Sequence, residues 1–539
     1  MFTLESIAEY AVISIALALL LPLCTFKMLG ALQQAGYDGK RFAKWSVRKG
    51  NMVYSRYILL AFLVALSSAV LAVVFSFTGM WAAYISLLPF PVFVAVYCRA
   101  DKRALKVPLV YTRRAQRVYA LECVCVFVAA ALLTLGVNAA SYYAEAEILS
   151  HLRYLPLAVL PILLPLLLRL ANAIDAPFSE AKNRKYVAAA REKLQAAKCV
   201  KIGITGSFAK TSVKNFAAAL LSEKYRVFAT PGSYNTPVGI AKSIENADLN
   251  EYDFFLAEMG ARRKGDVGEL CGLVAPDHCV ITGICPQHVE TFGSLENVIA
   301  AKGEILADTK EGGYAFIGDD ENTRKLNASA AKLVEVRVGE EGGYAARGVQ
   351  CSAEGTRFML SLGGEEIAVH TKLLGAHNAR NIALAAAIAH KFGLTKEQIA
   401  AGIGKLEYVP HRLQPFEANG VTVLDDAYNA NVVGAAEAVD VLRLFGGKKY
   451  VVTPGIVELG ILEEDANFAL GEKLAGLDAV VLVGATLVLA VKRGYLAAGG
   501  DAEKLTVVPD LAAAQKYLSE KLCKGDAVLF LNDLPDIYN

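Results

Sequence analysis

The residues best suited to chemistry form a short run near the middle of the chain, Gly206-Ser-Phe-Ala-Lys-Thr-Ser212. A buried-strand pattern, Cys199–Thr205, precedes this run, and a helical pattern, Val213–Lys224, follows it. A tight loop between a strand and a helix directs backbone N–H groups and the positive end of the helix toward an anion. Lys210 would then reach the outer phosphates of a nucleotide, and the Thr211 hydroxyl would bind Mg²⁺. The run predicts a phosphate-binding loop, with an ordinary strand-to-helix turn as the alternative.

Two residues in this run depart from the usual phosphate-loop pattern. Ala209 stands where such loops carry glycine, and Phe208 is bulky. If position 209 requires a positive φ, alanine there costs about 1 kcal/mol. The loop alone is therefore ambiguous, and its meaning depends on the elements around it.

The chain divides by composition near Ala176. Before that residue long apolar runs dominate, whereas after it charged residues alternate with short apolar segments, as in a soluble α/β enzyme. A length of 539 residues allows three or four domains, and the net charge of +2 gives no indication of a nucleic-acid partner. The ten cysteines are scattered without any C-x-x-C pair, which indicates buried free thiols rather than disulfides or a zinc site.

Five segments before Ala176 are apolar and long enough to cross a bilayer. The third is short and contains Pro89 and Pro91, so we expect it to be kinked or re-entrant. The predicted spans are Ala11–Leu29, Tyr57–Phe77, Trp81–Val96, Val118–Ala139 and Leu155–Ala173.

The charges of the connecting loops predict how these spans are oriented. Basic residues dominate the loops after the first and third spans, whereas the loop after the fourth carries Glu145 and Glu147. Basic loops stay in the cytoplasm, so we expect the N-terminus outside and everything after Ala176 inside. Because no intramembrane charge pair suggests a transport pathway, we interpret the region as an anchor or docking module rather than a transporter. The basic residues are Lys40, Arg41, Lys44, Arg48, Lys49 and Arg56, then Arg99, Lys102, Arg103, Lys106, Arg113, Arg114 and Arg117.

Six segments of the soluble half resemble, in order, motifs of the Mur ligases, and of the MurF type in particular. GITGSFAKTSVK (203–214) resembles that family's ATP loop, and TPGSYNTPVGIAKSI (230–244) resembles its following substrate-side segment. The others are FLAEMGARRKGDV (255–267), ITGICPQHVETFGSLENVIAAKGEIL (281–306), LLGAHNARNIALAAAIA (373–389) and VPHRLQPFEANGVTVLDDAYNAN (409–431). Their order and spacing match the family from Lys201 to the C-terminus.

The resemblance implies an ATP-dependent amide-bond ligase with its catalytic part in the cytoplasm. In this family a carboxylate attacks the γ-phosphate of ATP, and an amine then displaces phosphate from the resulting acyl phosphate. The implied substrates are a peptidoglycan precursor and an amine such as D-Ala-D-Ala, and the implied cofactors are ATP and two Mg²⁺ ions. A position at the cell membrane would add membrane lipid, and other enzymes of cell-wall synthesis, as partners.

The resemblance also implies a role for individual residues. Lys302 stands where the family carries a carbamylated lysine that supports the second metal ion. The implied catalytic residues are Lys210, His288, Lys302 and Arg412, and the implied metal site comprises Thr211, Glu258, His288 and Lys302. ATP would be bound by Gly206, Ser207, Lys210, Thr211, Ser212, Asn378, Asn381, Arg412 and Asp426.

Each of these residues also has a plainer interpretation. Lys302 could be a surface lysine on a helix, and Glu258 a solvated carboxylate at a strand end. His288 could be an ordinary loop histidine, and Asn378 could cap a helix, which is compatible with contacting a nucleotide. Tyr428, Asn429 and Asn431 follow Asp426, where the asparagines could simply form a turn.

The resemblance and the patterns together predict a protein of three parts. Residues 1–176 form a transmembrane α-helical region, 177–409 an α/β P-loop central domain of the Mur ligase type, and 410–539 a Rossmann-like α/β domain. The central domain should contain a mostly parallel sheet with a Gly-rich β insertion near Gly312–His370. The last domain should contain strands at Lys449–Thr453, Ala479–Val483 and Ala527–Leu531.

Several departures from the family pattern leave the substrate open. A MurF-type enzyme begins with a soluble UDP-sugar domain, where this chain has apolar segments. Gly283, Arg262 and Val432 replace two asparagines and a proline of the family, and TPGIVELG (453–460) keeps only Glu458-Leu459-Gly460 of its counterpart. One alternative is therefore a nucleotide-binding scaffold that has lost turnover and regulates cell-wall synthesis, with Phe208 and Ala209 in its favour. A transporter driven by the soluble part is a further alternative.

Overall fold

The computed structural model describes residues 4–47, 56–75, 81–100, 108–143, 152–340, 342–428, 430–484 and 487–532. The chain folds into two compact units, of which the first reaches Lys182 and the second runs from Asn183 to Leu534. The acidic loop with Glu145 and Glu147, and several of the basic loop residues, lie outside the described residues.

The first unit is helical, as the long apolar runs predict. Among the described residues, four helical stretches are long and apolar enough to cross a membrane: Ser6–Gln34, Tyr57–Val74, Arg113–Tyr143 and Leu155–Ala196, of which the last continues past Lys182. They coincide with four of the five predicted spans. The other, Ala83–Arg99, is shorter, and its helix is interrupted between Ile85 and Pro89 in agreement with the prediction from its prolines. The helices are Leu4–Leu20, Phe26–Gln34, Gly39–Ser46, Arg56–Val74, Trp81–Ile85, Pro89–Ala100, Arg113–Tyr143 and Leu160–Ala196.

The outward faces of these helices are apolar as well as the inward faces. Leu19, Val73 and Leu132 each leave 65% of their surface exposed, whereas Leu21, Val118 and Leu164 are fully buried in the unit's core. A helix that is apolar on every side is suited to a lipid environment, because water offers its outer face no favourable contact. The burial pattern therefore fits the composition of the predicted spans.

Polar side chains form one cluster at the predicted outer ends of the spans. Glu9, which precedes the first span, accepts hydrogen bonds from Tyr84 Oη at 2.6 Å and from Arg153 Nη2 at 2.8 Å. The Tyr154 hydroxyl also donates to Glu9. Glu9, Tyr84 and Tyr154 lie at the starts of the first, third and fifth predicted spans. If the helices alternate in direction, these three starts lie on the same side of the membrane, and the contact agrees with that arrangement.

A second cluster lies at the predicted inner ends. Asp175, whose side chain is 1% exposed, pairs with Arg117 at 2.8 Å and with Arg114 at 3.2 Å. Ser179 donates to the same carboxylate at 2.7 Å. Asp175 follows the last span and the two arginines precede the fourth, so this contact also agrees with the predicted alternation.

One buried carboxyl in the first unit escaped the sequence analysis. Glu122 lies inside the helix Arg113–Tyr143, is fully buried, and accepts a hydrogen bond from Thr25 Oγ1 at 2.9 Å. Thr25 ends a 3₁₀ turn, Leu21–Thr25, that interrupts the first apolar stretch after Leu20.

The second unit contains a nine-stranded sheet in the order β2-β3-β1-β4-β5-β6-β7-β8-β9. The strands from β2 to β7 run parallel, and β7, β8 and β9 form an antiparallel meander. The Gly-rich segment predicted as an insertion thus extends the same sheet. The strands are β1 Val200–Thr205, β2 Val227–Ala229, β3 Phe254–Glu258, β4 His278–Ile281, β5 Tyr314–Gly318, β6 Val334–Val338, β7 Tyr344–Ser352, β8 Gly355–Leu362 and β9 Glu365–Thr371.

Helices cover both faces of this sheet, which explains the unbroken apolar sequence of β3. Leu256 belongs to the core on one face, whereas Phe255 and Ala257 belong to the core on the other. A parallel strand that is buried on both sides has no need for polar alternation. The helices are Lys210–Leu221, Pro237–Ile244, Asp266–Val274, Val289–Phe292, Leu295–Ala307, Ala376–Lys391 and Lys396–Gly404.

A six-stranded sheet in the order β10-β11-β15-β12-β13-β14 follows in the chain. All its neighbours are parallel except β10 with β11. The three predicted strands occur at the predicted residues, as β12 Lys449–Thr453, β13 Ala479–Val483 and β15 Ala527–Leu531. The others are β10 Gln414–Ala418, β11 Val421–Asp426 and β14 Leu505–Val508, and the helices are Val432–Leu442, Glu463–Leu474, Val488–Ala497 and Leu511–Lys521.

Candidate active site

The candidate site lies where three neighbouring strands of the larger sheet end. In β1, Ile204 pairs with Glu258, the last residue of β3, and Thr205 pairs with Ile281, the last residue of β4. The phosphate loop, Glu258 and the segment leading to His288 therefore leave the sheet side by side. The carboxyl edge of a parallel sheet is the usual place for a ligand, because loops from adjacent strands converge there.

The phosphate loop packs closely against the segment after β4. A Cβ atom at Gly206 would lie 2.1 Å from Thr282 Oγ1, so this position requires glycine. The Ser207 N–H donates to Gly283 O at 2.8 Å, and Ser207 Oγ donates to Cys285 O at 3.0 Å. The following helix begins at Lys210 and not at the predicted Val213, so Lys210, Thr211 and Ser212 form its first turn. This earlier start brings the helix N-terminus directly to the loop.

The structure shows the backbone conformation of Ala209 and the packing of Phe208, the two unusual residues of the loop. Ala209 adopts φ +60°, the left-handed conformation that the sequence analysis regarded as costly for alanine. The ring of Phe208 lies against Gly283, where a Cβ atom would be 2.2 Å from Phe208 Cζ. Phe208 and Gly283 thus fit each other: the bulky side chain occupies space that any larger residue at position 283 would need.

Lys210 occupies the centre of the candidate site. Its Nζ donates to Gly206 O at 2.7 Å and to Ser207 O at 3.4 Å. Burial lowers the pKa of Lys210, with Arg412 adding to this effect and Glu258 opposing it. Its charge also acts on His288 and Lys302. Lys210 therefore lies within electrostatic range of four other predicted residues, Glu258, His288, Lys302 and Arg412.

Glu258 is buried and held by two side chains that the sequence analysis missed. Its Oε2 lies 3.2 Å from Lys214 Nζ, and its Oε1 accepts a hydrogen bond from Asn235 Nδ2 at 3.1 Å. With 1% exposure, Glu258 is not the solvated carboxylate of the plainer interpretation. Lys214 lies one helical turn after Lys210 in the phosphate-loop motif, so its spacing was a signal that could have identified it.

His288 contacts a carboxylate from the smaller sheet's part of the unit. Its Nδ1 shares a hydrogen bond with Glu458 Oε2, and Arg262 Nη1 lies 3.3 Å from Glu458 Oε1. Burial lowers the pKa of His288, and Glu458 opposes that shift. His288 and Glu458 have φ values of +53° and +65°. Such strained backbones concentrate at functional sites, where the surrounding structure holds them.

Lys302 is buried in the helix Leu295–Ala307, with only 2% of its surface exposed. The interpretation as a surface lysine is therefore wrong. Its Nζ lies 6.0 Å above the ring of Phe292, and no ion pair to Lys302 occurs in the part of the chain that the structure describes. Burial, with repulsion from Lys210 as the next cause, holds the pKa of Lys302 well below its usual range. Lys302 is thus a buried amine close to another cation.

Arg412 and Asp426 lie on either side of the hairpin that begins the smaller sheet. The Arg412 guanidinium lies 4.4 Å from the ring centroid of Tyr428, and Asp426 Oδ1 accepts a hydrogen bond from the Leu413 N–H at 3.1 Å. Burial raises the pKa of Asp426 to about 6, although the charge of Arg412 opposes the shift. Asn431 caps the next helix by accepting from the Gly434 N–H, and Asn429 lies outside the described residues.

Asn378 and Asn381 are buried near the start of the helix Ala376–Lys391. The capping interpretation of Asn378 is wrong, because Gly375 occupies the cap and Asn378 lies within the helix, donating to Leu374 O at 2.9 Å. Among the described contacts, no hydrogen bond or ion pair connects either asparagine with the phosphate loop. The structure therefore does not join them to the group around Lys210.

The oxygen atoms near the loop suit a hard divalent cation. Thr211 and Glu258 are both buried and offer a hydroxyl and a carboxylate, which are ligands that Mg²⁺ accepts. Within the described ranges, no three His, Cys, Asp or Glu side chains meet as a ready metal cluster. A site of this kind fits Mg²⁺, which usually keeps several waters and takes further oxygens from substrate phosphates.

Comparisons with known proteins agree with this arrangement. The family model of the Mur ligase middle domain matches residues 204–389. The family model of the Mur ligase, glutamate ligase domain matches residues 411–532. Together these two models cover the larger sheet from β1 to the helix Ala376–Lys391, and the smaller sheet.

Similar curated proteins are named UDP-N-acetylmuramoyl-tripeptide--D-alanyl-D-alanine ligase. The one from Escherichia coli is 33% identical over 290 residues, which is 52% of this chain and 64% of the relative. The one from Bacillus subtilis is 30% identical over 340 residues, which is 61% of this chain and 72% of the relative. The chain thus spans about two thirds of the length of the relatives it matches.

Similar solved structures include MurF from Acinetobacter baumannii, with a TM-score of 0.60 and 25% identity, covering 65% of this chain and 77% of that one. MurF ligase from Thermotoga maritima in complex with ADP gives a TM-score of 0.59 and 28% identity, covering 65% and 80%. The matched domains, the relatives and the fold agree, and the chain belongs to the Mur ligase family.

Proposed function

We propose that this protein is an ATP-dependent ligase that joins a carboxylate to an amine through an acyl phosphate. The single observation that carries the proposal is a phosphate loop whose Lys210 lies within electrostatic range of Glu258, Arg412, His288 and Lys302. The names of the relatives at about 30% identity support the same reaction class. The scaffold alternative has no support in these comparisons.

The reaction begins when an oxygen of the acceptor carboxylate attacks the γ-phosphorus of ATP and ADP leaves. The neutral amine then attacks the carbonyl carbon of the acyl phosphate and loses a proton to solvent. The C–N bond of the amide forms, the C–O bond to phosphate breaks, and inorganic phosphate leaves with the acceptor oxygen. Charge gathers on phosphate oxygens in both steps, and positioned cations stabilise it best where water is excluded. Lys210 and Arg412 are the side chains that would contact these oxygens, and bound Mg²⁺, held by Thr211 and Glu258, would neutralise further charge.

Lys302 is proposed to act as a carbamate. A neutral amine adds to CO₂ and releases a proton, leaving a carboxylate on the lysine nitrogen. The deep burial of Lys302 and its depressed pKa favour the neutral amine that this addition requires. The new carboxylate would then face Lys210 and would supply an oxygen ligand for a second Mg²⁺ together with His288.

The amine and the acceptor are proposed from the relatives' names. We infer D-Ala-D-Ala or a similar amine, and a peptidoglycan precursor that ends in a free carboxylate. The four long apolar helices support a place at the cell membrane. The basic loops after the first and third predicted spans support a catalytic unit in the cytoplasm. A precursor linked to membrane lipid is therefore proposed as the acceptor, and other cell-wall enzymes as neighbours in the membrane.

The experiment uses the full-length protein in detergent or native membranes. ATP, Mg²⁺, D-Ala-D-Ala and either a lipid-linked or a UDP-linked peptide precursor are supplied, and ADP and the product mass are measured. We expect repeated turnover to ADP only when acceptor and amine are both present, with the lipid-linked precursor preferred. Lys210→Ala should abolish the reaction. Acceptor-independent ADP release, or none with either precursor, would contradict the proposal.

A further inference from the structure

Lys214 is a fully buried cation in a helix whose buried residues, apart from Thr211 in the first turn, are otherwise apolar. It lies in the helix Lys210–Leu221, and its side chain is 0% exposed. The neighbouring buried positions of this helix carry Val213, Phe216 and Leu220, which need no charge near them. Burying an ammonium group is unfavourable unless its hydrogen-bonding capacity is used. The contacts of Lys214 should therefore explain why a lysine is present.

Its ammonium group connects two parts of the candidate site. Nζ lies 3.2 Å from Glu258 Oε2 and donates to Gly232 O at 2.5 Å. Gly232 belongs to the segment Thr230–Asn235, which follows β2. Lys214 thus joins the phosphate-loop helix to the carboxylate at the end of β3 and to this segment.

The same segment holds Glu258 from its other side. Asn235 Nδ2 donates to Glu258 Oε1 at 3.1 Å, and the Glu258 N–H donates to Thr230 Oγ1 at 3.1 Å. The Gly260 N–H donates to Asn235 O at 2.8 Å. Each carboxylate oxygen of Glu258 therefore has one donor, which fixes the rotamer and leaves further lone pairs for another ligand.

We propose that Lys214 is a positioning residue that orients the Glu258 carboxylate for the nucleotide-bound Mg²⁺ and fixes the segment Thr230–Asn235 beside it. The inference rests on the proposed function for the identity of the ion and its nucleotide. Lys214 contacts neither directly; it acts through Glu258. Residues that orient a metal ligand change metal affinity by about 10–100-fold when they are removed. A competing role gives the opposite sign: if Lys214 merely occupied the carboxylate, its removal would strengthen metal binding.

The test compares Lys214→Met and Lys214→Arg in the full-length protein. The concentration of Mg²⁺ that gives half-maximal ligation is measured at saturating ATP, together with kcat at saturating Mg²⁺. We expect Lys214→Met to raise that concentration about 10–100-fold and to change kcat much less. Lys214→Arg keeps a charged donor and should recover part of the affinity. Unchanged or tighter Mg²⁺ dependence in Lys214→Met would overturn the proposal.

Lys224→Met provides the matched control. Lys224 is an exposed lysine just after the same helix, and it also donates to a carbonyl, Gly393 O, at 2.8 Å. Its removal should leave the Mg²⁺ dependence unchanged. If Lys214→Met fails to fold, Lys214→Arg alone tests the proposal. A rise of about threefold or more in the Mg²⁺ concentration for half-maximal ligation supports the proposal, and no change overturns it.

A binding measurement separates this inference from the proposed function. Mn²⁺ replaces Mg²⁺, a non-hydrolysable ATP analogue is supplied without acceptor, and bound Mn²⁺ is measured by paramagnetic resonance. The assay needs no ligation, so it remains informative if the proposed substrates are wrong. Weaker Mn²⁺ binding in Lys214→Met than in Lys224→Met supports the positioning role, and equal binding overturns it.

Discussion

The two units of the molecule treat buried charge in different ways. In the first unit, Glu9 and Asp175 each pair with arginine and accept hydrogen bonds from hydroxyl groups. In the candidate site, the hydrogen bonds of Lys210 within the described residues go to backbone carbonyls, and Lys302 Nζ lies above an aromatic ring. Glu9 and Asp175 are thus paired with cations, whereas Lys210 and Lys302 make no ion pair with the described residues and have capacity for an anion.

This difference indicates which charges hold the fold and which serve a ligand. A buried charge without a partner costs stability, so it persists where the rest of the fold compensates and where function requires it. Removing Lys210 or Lys302, which make no ion pair with the described residues, should therefore lower activity without lowering stability. Removing Glu9 or Asp175 from the first unit should instead lower stability without lowering activity.

The largest effect is expected for Lys302→Ala. The loss of its proposed carbamate should lower kcat by about 10²–10³-fold, the usual effect of removing one electrostatic contact to a transition state. Thermal stability should change little, because Lys302 makes no ion pair with the described residues that its removal would break. Ligation kinetics and thermal unfolding measure the two effects.

Added short carboxylates such as acetate or formate should partly restore the activity of Lys302→Ala, because they supply the missing oxygen ligand. Lys310→Ala is the matched control, since Lys310 is exposed and pairs with Asp277 at the surface. An absence of rescue would argue against carbamylation, and a marked loss of stability would contradict the contrast between the units.

Asp175→Asn should destabilise the first unit by roughly 1–3 kcal/mol. This is below the range for a fully buried ion pair, because the side chain of Arg117 is 42% exposed and solvent weakens the interaction. Thermal unfolding in detergent measures the change. Glu180→Gln, on the exposed face of the same helix, should stay within about 0.5 kcal/mol of the wild type. The ligation rate per folded molecule should be unchanged in both variants. A loss of that rate in Asp175→Asn alone would contradict the contrast between the two units.

A smaller effect is expected from the pH dependence of Asp426. Its pKa in the folded protein is about 6, above the ordinary value of 3.8, because burial disfavours the carboxylate. Folded protein then binds more protons than unfolded protein between these two values, so the contribution of Asp426 to stability falls as pH rises through that window. If the carboxylate form binds nucleotide, ligation at low ATP should instead rise with pH, and should be about tenfold lower one unit below the pKa.

Asp426→Asn should remove this component of the pH profile, and Asp440→Asn, at an exposed carboxylate, should retain it. Initial rates at low ATP from pH 5 to 8 measure the profile. An identical profile in Asp426→Asn would show that another group controls the change.

The parts of the fold that repeat a local pattern could be predicted from the sequence. The strands at Lys449–Thr453 and Ala479–Val483 follow from short apolar runs between helical stretches. The long apolar helices follow from composition, because a run of about 20 apolar residues is rare outside a membrane span. The third predicted span became two short helices, because prolines interrupt its backbone hydrogen bonds.

The partners of buried charges could not be predicted in the same way. Lys214 was overlooked because a lysine on a helix is usually exposed, although its four-residue spacing from Lys210 places both on one side of the helix. The contact of His288 with Glu458 joins residues 170 positions apart, and nothing in the local sequence of either residue indicates it. The fit of Phe208 against Gly283 likewise needs the three-dimensional packing of two loops.

The central claim is that an acceptor carboxylate becomes phosphorylated beside Lys210, and isotope transfer tests it most directly. The acceptor is labelled with ¹⁸O in its free carboxylate, and the full-length protein is supplied with ATP, Mg²⁺ and the amine. Mass spectrometry of the released inorganic phosphate then follows the label. We predict one ¹⁸O atom in the phosphate for each amide formed, accompanied by ADP. Unlabelled phosphate, or AMP with pyrophosphate in place of ADP, would contradict the account.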